Sequence, residues 1–279
     1  MKIIIHTSNG YTHVALTNAF LISKNWPGHE IVVLGYEEIL LLKEIKLPQN
    51  VKYVCLGKQA DFGKTWSTAM IPYFNQLEDD YFVLVPDDCI LVKKIDISKV
   101  NFLEDLVRNK SADKAVLGGG LSLKDTVVHA HDQRLLIYHQ NIPYRSSIIP
   151  AIWSKKYFLH YLVPNITTHE FEAKPNEWKA ANDGAIIINY NTGPNPENPH
   201  LFCFVNTYHT GKITINKDLS MTCGCPPKPC RHYPQYGHYS KKSLRFILDD
   251  VEKNKRKFEK LKSDIPLNIR LKQHLSQEL

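Results

Sequence analysis

Tyr81-Phe82-Val83-Leu84-Val85-Pro86-Asp87-Asp88 decides the fold. A continuous apolar run ending in proline reads as a buried strand. Two acids follow it directly, which puts carboxylates at the strand's C-terminal end. Moving towards the N-terminus, Thr65–Leu77 has a helical pattern and stops before an acidic loop. Val51–Leu56 reads as a strand, Glu37–Ile45 as a helix and Glu30–Leu34 as a strand. Asn25-Trp26-Pro27-Gly28 is a turn cluster. Tyr11–Ser23 has apolar positions at helical spacing (Val14, Ala15, Phe20, Leu21), and Lys2–His6 is a strand. Alternating strands and helices predict an α/β fold, with a mostly parallel sheet flanked by helices. Ligands of such sheets sit beyond the C-terminal ends of the strands. Thr7-Ser8-Asn9-Gly10 and Asp87-Asp88 both fall there.

The second half is less regular. Ala115–Leu123 contains Gly118-Gly119-Gly120, Leu135–Tyr138 reads as a strand, and Ile152–Leu162 reads as a helix. Asn189–Pro199 is rich in Asn, Pro and Gly and reads as a loop; Phe202–Tyr208 reads as a strand. Lys242–Leu261 has an amphipathic stripe of Leu244, Ile247, Leu248, Val251, Phe258 and Leu261.

With 279 residues, 43% hydrophobic and 23% charged, the chain is globular rather than disordered. No apolar run approaches the ~18–20 residues of a membrane span. Met1–His6 is too short an apolar stretch for a signal peptide, so a cytoplasmic location is expected, in the host if the source is viral. Much of the net charge of +7 lies from Lys241 onwards. That tail is either a solvated helix face or a contact for an anionic partner. Of six cysteines, Cys55, Cys89 and Cys203 stand in apolar surroundings and read as buried small hydrophobes.

Cys223-Gly224-Cys225-Pro226-Pro227-Lys228-Pro229-Cys230-Arg231-His232 holds the other three. Three thiols and an imidazole (Cys223, Cys225, Cys230, His232) suit a closed tetrahedral shell around structural zinc. A disulfide, or free thiols in a proline-rich loop, are the competing readings. The domain division expected is 1–216 as an α/β catalytic unit and 217–279 as an extension with this loop and a basic helix.

Four segments together resemble the GT-A glycosyltransferases, particularly members found among phage, giant-virus and bacterial polysaccharide genes. They are the first strand running into Thr7-Ser8-Asn9-Gly10-Tyr11, the Asn25-Trp26-Pro27-Gly28 turn, Trp66-Ser67 with the helix and strand ending in Asp87-Asp88, and Ile149–Leu159 followed by His169-Glu170-Phe171-Glu172. The resemblance implies transfer of a sugar from a nucleoside-diphosphate sugar, UDP-type, to an acceptor hydroxyl, with inversion. It implies a nucleotide site at Thr7, Ser8 and Tyr11. Trp66 and Trp153 read either as stacking partners for a base or sugar or, as helical aromatics more often are, as core. The resemblance implies a diphosphate site at Asp87 and Asp88 holding Mn2+ or Mg2+, and an acceptor-side helix starting near Ile152. A late histidine, His209, would join Asp88 on the cation, and Lys212 would hold the diphosphate. The family's acidic motif is Asp-x-Asp, whereas here Cys89 fills the third position, so the metal requirement stays open.

An acceptor hydroxyl needs a base, since an alcohol is a poor nucleophile until its proton is removed. Glu170 is the first choice, with Glu172 or Asp183 as substitutes. Two acids two residues apart point to nearly opposite sides of a helix, so only one of the glutamates can enter a site there. Asp132 and Arg134 read either as diphosphate or acceptor contacts or as a surface ion pair. The acceptor is a glycan, or alternatively a hydroxymethylated base in DNA. A non-catalytic nucleotide- or nucleic-acid-binding module is a reading of another class. A nucleotidyltransferase would share the acidic strand end, but its Gly- and Lys-rich phosphate loop has no counterpart in Thr7–Tyr11.

Overall fold

The computed structural model describes residues 1–36, 47–91, 94–118, 125–173, 183–191, 201–202 and 256, and the backbone of 204–206, 208–209 and 212–213. The predicted Glu37–Ile45 helix, the zinc ligands Cys223, Cys225, Cys230 and His232, the Lys242–Leu261 stripe and nearly all of 217–279 lie outside the described residues.

The first half follows the sequence pattern. Strand β1 (Lys2–His6) leads into helix α1 (Thr12–Asn25), then β2 (Glu30–Gly35) and β3 (Val51–Cys55). Helix α2 (Ser67–Gln76) precedes β4 (Tyr81–Pro86), and β5 (Cys89–Leu91) follows at once. Gly28 closes the turn before β2 with φ of +91°, a backbone that side chains other than glycine's rarely adopt.

The remaining elements are α3 (Ile97–Arg108), β6 (Lys114–Val116), β7 (Thr126–Val128), β8 (Leu135–Tyr138), β9 (Ala151–Ser154), α4 (Lys155–Tyr161), α5 (Thr168–Ala173), β10 (Ile187–Tyr190), β11 (Phe204–Asn206), β12 (Tyr208–His209) and β13 (Lys212–Ile213). Nine strands form one mixed sheet in the order β3-β2-β1-β4-β9-β6-β10-β8-β7. The block β3-β2-β1-β4 is parallel, β9 runs against both neighbours, and β6 and β10 are parallel to each other. This is the mixed α/β class expected from the sequence.

Side-chain alternation makes the layers. Ile3, Ile5, Val83 and Val85 pack under α1 and α3 with Ala15, Ala19, Ile22, Val100 and Leu103. Ile4, Phe82 and Leu84 face the other way, onto Met70 and Phe74 of α2, Phe158 of α4 and Phe171 of α5. Gly118 lets the chain of Phe202 approach, since a Cβ there would lie 2.3 Å from the Phe202 carbonyl oxygen.

Several local readings need correction. The predicted helix from Ile152 begins three residues too early. Ala151–Ser154 is a strand wedged between β4 and β6, and the Ser154 side chain accepts from Tyr157 N–H to cap a helix that starts only at Lys155. A short apolar run looks alike in both conformations, and pairing on both sides settled it. Asn189 and Tyr190, read as loop, end β10. The single strand predicted over Phe202–Tyr208 is two, since Phe204–Asn206 pairs with β5 while Tyr208–His209 pairs with Lys212–Ile213. Among the described residues no helix is long and apolar enough to cross a membrane.

Candidate functional site

The strand order reverses between β1 and β4. The chain leaves β1 for β2 on one side, and β4 lies on the other. A crevice opens at such a switch point, beyond the C-terminal strand ends. Here it is a cavity of about 400 Å³, inside the ~300–1,000 Å³ range of small-molecule sites. Its walls are His6, Thr7, Ser8 and Tyr11 after β1, Trp66 before α2, Leu84–Asp88 at the end of β4, and Ile148, Thr168 and Glu172.

Two long-range clamps fix the acids. Thr7 Oγ1 donates to Asp87 across the switch point at 2.8 Å. Asn18, fully buried in α1, donates to the Cys89 carbonyl at 2.9 Å and accepts from Leu91 N–H at 3.1 Å. The same side chain thus holds β5 and, with it, the turn that carries Asp87 and Asp88. Burial and the neighbouring Asp88 charge push the Asp87 carboxyl up to about 7, against a smaller opposing pull from Thr7. The Asp88 carboxyl is raised too, first by burial and also by the Glu172 charge. Cys89 is buried, and its thiol is pushed well above the usual range by the same burial and the adjacent acids.

Glu172 also lines the cavity. Its Oε1 accepts from Ser147 Oγ at 2.9 Å and Ile148 N–H at 2.8 Å, leaving Oε2 without a partner among the described residues. Lys114 holds the backbone behind these donors. It is fully buried, donates to the carbonyls of Arg145 and Ser147 at 3.0 and 2.7 Å, and stands 4.0 Å over the Trp153 ring. Burial pulls its ammonium well below the usual range, yet two carbonyls and an aromatic face give all three N–H groups a partner.

Thr7, Ser8, Tyr11, Trp66, Asp87, Asp88 and Glu172 therefore meet at one cavity. Glu170 and Asp183 are placed elsewhere. Glu170 turns back on Thr167, accepting from its N–H at 2.8 Å and Oγ1 at 3.0 Å, while Glu170 N–H donates to that Oγ1. This reciprocal capping box was legible as Thr167-Thr168-His169-Glu170. Of the two glutamates on α5 only Glu172 lines the cavity. Asp183 accepts from Arg145, Ala185 N–H, Tyr157 and Tyr161. Burial alone would raise its carboxyl, but Tyr161, Ala185 N–H and Arg145 hold it below the usual range.

Trp66 is only 5% exposed; its indole donates to His6 Nδ1 at 2.9 Å and its ring packs edge-on against Phe171. Trp153 is core, with no exposure. Asp132 and Arg134 form a surface ion pair at 2.7 Å, with the guanidinium over Phe102. His209 and Lys212 sit at paired positions of the β12–β13 ribbon, and their side chains are outside the described residues. Sequence reasoning missed His6, Ile148 and Thr168. His6 ends the first strand, one residue before a polar cluster, which was the available signal.

No family model matches the chain. No curated protein matches it either. Solved structures do, at low similarity. One is a cytidylyltransferase from Leptospira borgpetersenii serovar Hardjo-bovis, 12% identical, covering 92% of this chain and 95% of that one, with a TM-score of 0.44. Another is a nucleotidyl transferase from Methanothermobacter, 10% identical, covering 74% and 91%, with a TM-score of 0.43. A third is the bifunctional IspDF from Campylobacter jejuni, 16% identical, with a TM-score of 0.39; the match covers 72% of this chain, which spans about half (51%) of that protein. These likenesses are too slight to argue from, and the site's chemistry rests on its own geometry.

The donor set at Asp87 and Asp88 is all oxygen, which suits Mg2+ or Mn2+. Among the described residues no three His, Cys, Asp or Glu side chains are grouped to hold an ion. Two carboxylates nevertheless fit a Mg-type ion, which takes one or two carboxylates and completes its shell with water and substrate phosphates.

Proposed function

We propose that this chain is a nucleotide-sugar-dependent glycosyltransferase. The observation that carries the reading is the cavity at the β1/β4 switch point, lined by Asp87, Asp88 and Glu172 with its unengaged Oε2. Asp87 and Asp88 would hold a divalent cation, and that cation, when bound, would offset the charge of the departing diphosphate. Thr7, Ser8 and Tyr11 line the nucleotide's side of the cavity. Glu172, kept in place by Ser147 and Ile148, takes the proton of the acceptor hydroxyl as it attacks the sugar's anomeric carbon. Direct attack from the face opposite the leaving diphosphate inverts that carbon. The acceptor is a glycan hydroxyl or a hydroxymethylated base in DNA, and the basic tail keeps the second in view. The cation-binding roles of Asp88 with His209, the diphosphate contact of Lys212 and the zinc loop belong to this proposal.

Turnover decides it. Purified protein with a panel of nucleoside-diphosphate sugars and Mn2+ should release nucleoside diphosphate, by hydrolysis or by transfer to added glycan. Asp88→Ala should abolish the release. Formation of pyrophosphate from a nucleoside triphosphate and a sugar phosphate would instead make the chain a nucleotidyltransferase and overturn the proposal.

A further inference from the structure

His6 is the last residue of β1, between Leu34 of β2 and Pro86 of β4 in the sheet register, and its ring lines the cavity. Its Nδ1 accepts the Trp66 indole N–H at 2.9 Å. An imidazole that accepts at Nδ1 and carries one proton must carry it at Nε2. That Nε2–H is buried and has no hydrogen-bond partner among the described residues. The ring keeps a single proton, since burial drives its pKa down to about 3. A buried donor left unpaired costs about 1–3 kcal/mol, and such a group in a folded protein calls for a cause.

The surroundings point to the kind of partner. Tyr36 and Trp66 pack edge-on against the His6 ring at 6.1 and 5.8 Å, and Phe62 lies against Tyr36. Of these rings Trp66 lines the cavity with His6, as does Tyr11, and the same cavity is walled by Asp87 and Asp88. The His6 and Trp66 rings suit a planar, uncharged group with an accepting edge. A nucleobase has that form.

We propose that the Nε2–H of His6 reads an oxo group on the base of the bound nucleotide, so that the cavity selects uracil-, thymine- or guanine-type nucleotides over cytosine- and adenine-type ones. This rests on the nucleotide-sugar reading above. The discriminating bases differ at one edge position: uracil, thymine and guanine carry an oxygen acceptor where cytosine and adenine carry an amino donor. An amino group there would set two donors against each other. The small side-chain shifts that accompany ligand binding bring the base edge to the ring.

The test is calorimetric binding of UDP, GDP, CDP and ADP with Mn2+, to the full chain and to His6→Gln and His6→Phe. We expect UDP or GDP to bind the native chain at least about ten-fold more tightly than CDP or ADP, the worth of one hydrogen bond. His6→Phe should remove that preference, weakening UDP and GDP binding more than CDP and ADP binding; His6→Gln, which keeps an amide donor, should retain part of it. Nitrogen NMR of histidine-labelled native protein needs no variant. It should show the proton on Nε2 before ligand is added and a displaced Nε2 signal with UDP or GDP. Equal loss of affinity for all four nucleotides in His6→Phe, or a proton on Nδ1, would overturn the assignment of His6 alone. If no nucleoside diphosphate binds the native chain, the nucleotide reading itself falls.

Discussion

Two carboxylates in the cavity respond differently to substitution. Glu172→Gln keeps an oxygen for Ser147 and Ile148 but cannot take a proton. Its turnover should fall by about 10²–10⁴-fold, with donor KM little changed, as steady-state kinetics would show. Asp87 concerns stability. Its folded carboxyl titrates near 7 against an ordinary 3.8. A raised carboxyl favours the folded state only while protonated, so the stability it adds is present below about pH 4 and is lost as pH rises through about 7. Melting temperature in metal-free buffer should therefore fall across that window, and Asp87→Asn should flatten the fall and melt higher than the native chain at pH 8.

The elements around the cavity are held by polar clamps that local pattern does not announce. Asn18 is the clearest. Replacing it with Ala leaves the Cys89 carbonyl and Leu91 N–H unpaired, at about 1–3 kcal/mol for each buried group. Urea denaturation should register the loss, and turnover should drop because the Asp87–Asp88 turn loosens. Asp183 ties α4 to the segment before β10 through Arg145, Tyr157 and Tyr161, with ion-pair partners only 5% and 6% exposed. Asp183→Ala strands a buried guanidinium and should cost about 3–5 kcal/mol. A retained turnover number per folded molecule would confirm that Asp183 supports the fold rather than the reaction. The sequence showed Asp183 and Glu170 only as acids near other acids. Whether such an acid caps a helix, pairs with arginine or faces a cavity depends on neighbours far along the chain. The capping box at Thr167 was the exception, because both partners lie within one turn.

For the molecule as a whole, the acceptor is decided by salt. If DNA is the acceptor, raising salt from 50 to 200 mM should weaken binding by orders of magnitude, since each phosphate contact releases a counterion. A neutral glycan should bind with little change, as a titration at both salts would show.

The sequence by itself determined the strand–helix alternation of the first half, the turn at Gly28, and the placing of Thr7 and Asp87 at strand ends, because side-chain period and turn chemistry are local properties. It also determined that only one of Glu170 and Glu172 could face a given side. Tertiary structure decided which one, set β9 against the grain between β4 and β6, and brought His6 and Trp66 together. Periodicity records which face of an element is apolar, not which other element covers it. Pairing across the sheet is chosen by packing among residues distant in sequence, and only the folded chain resolves that choice.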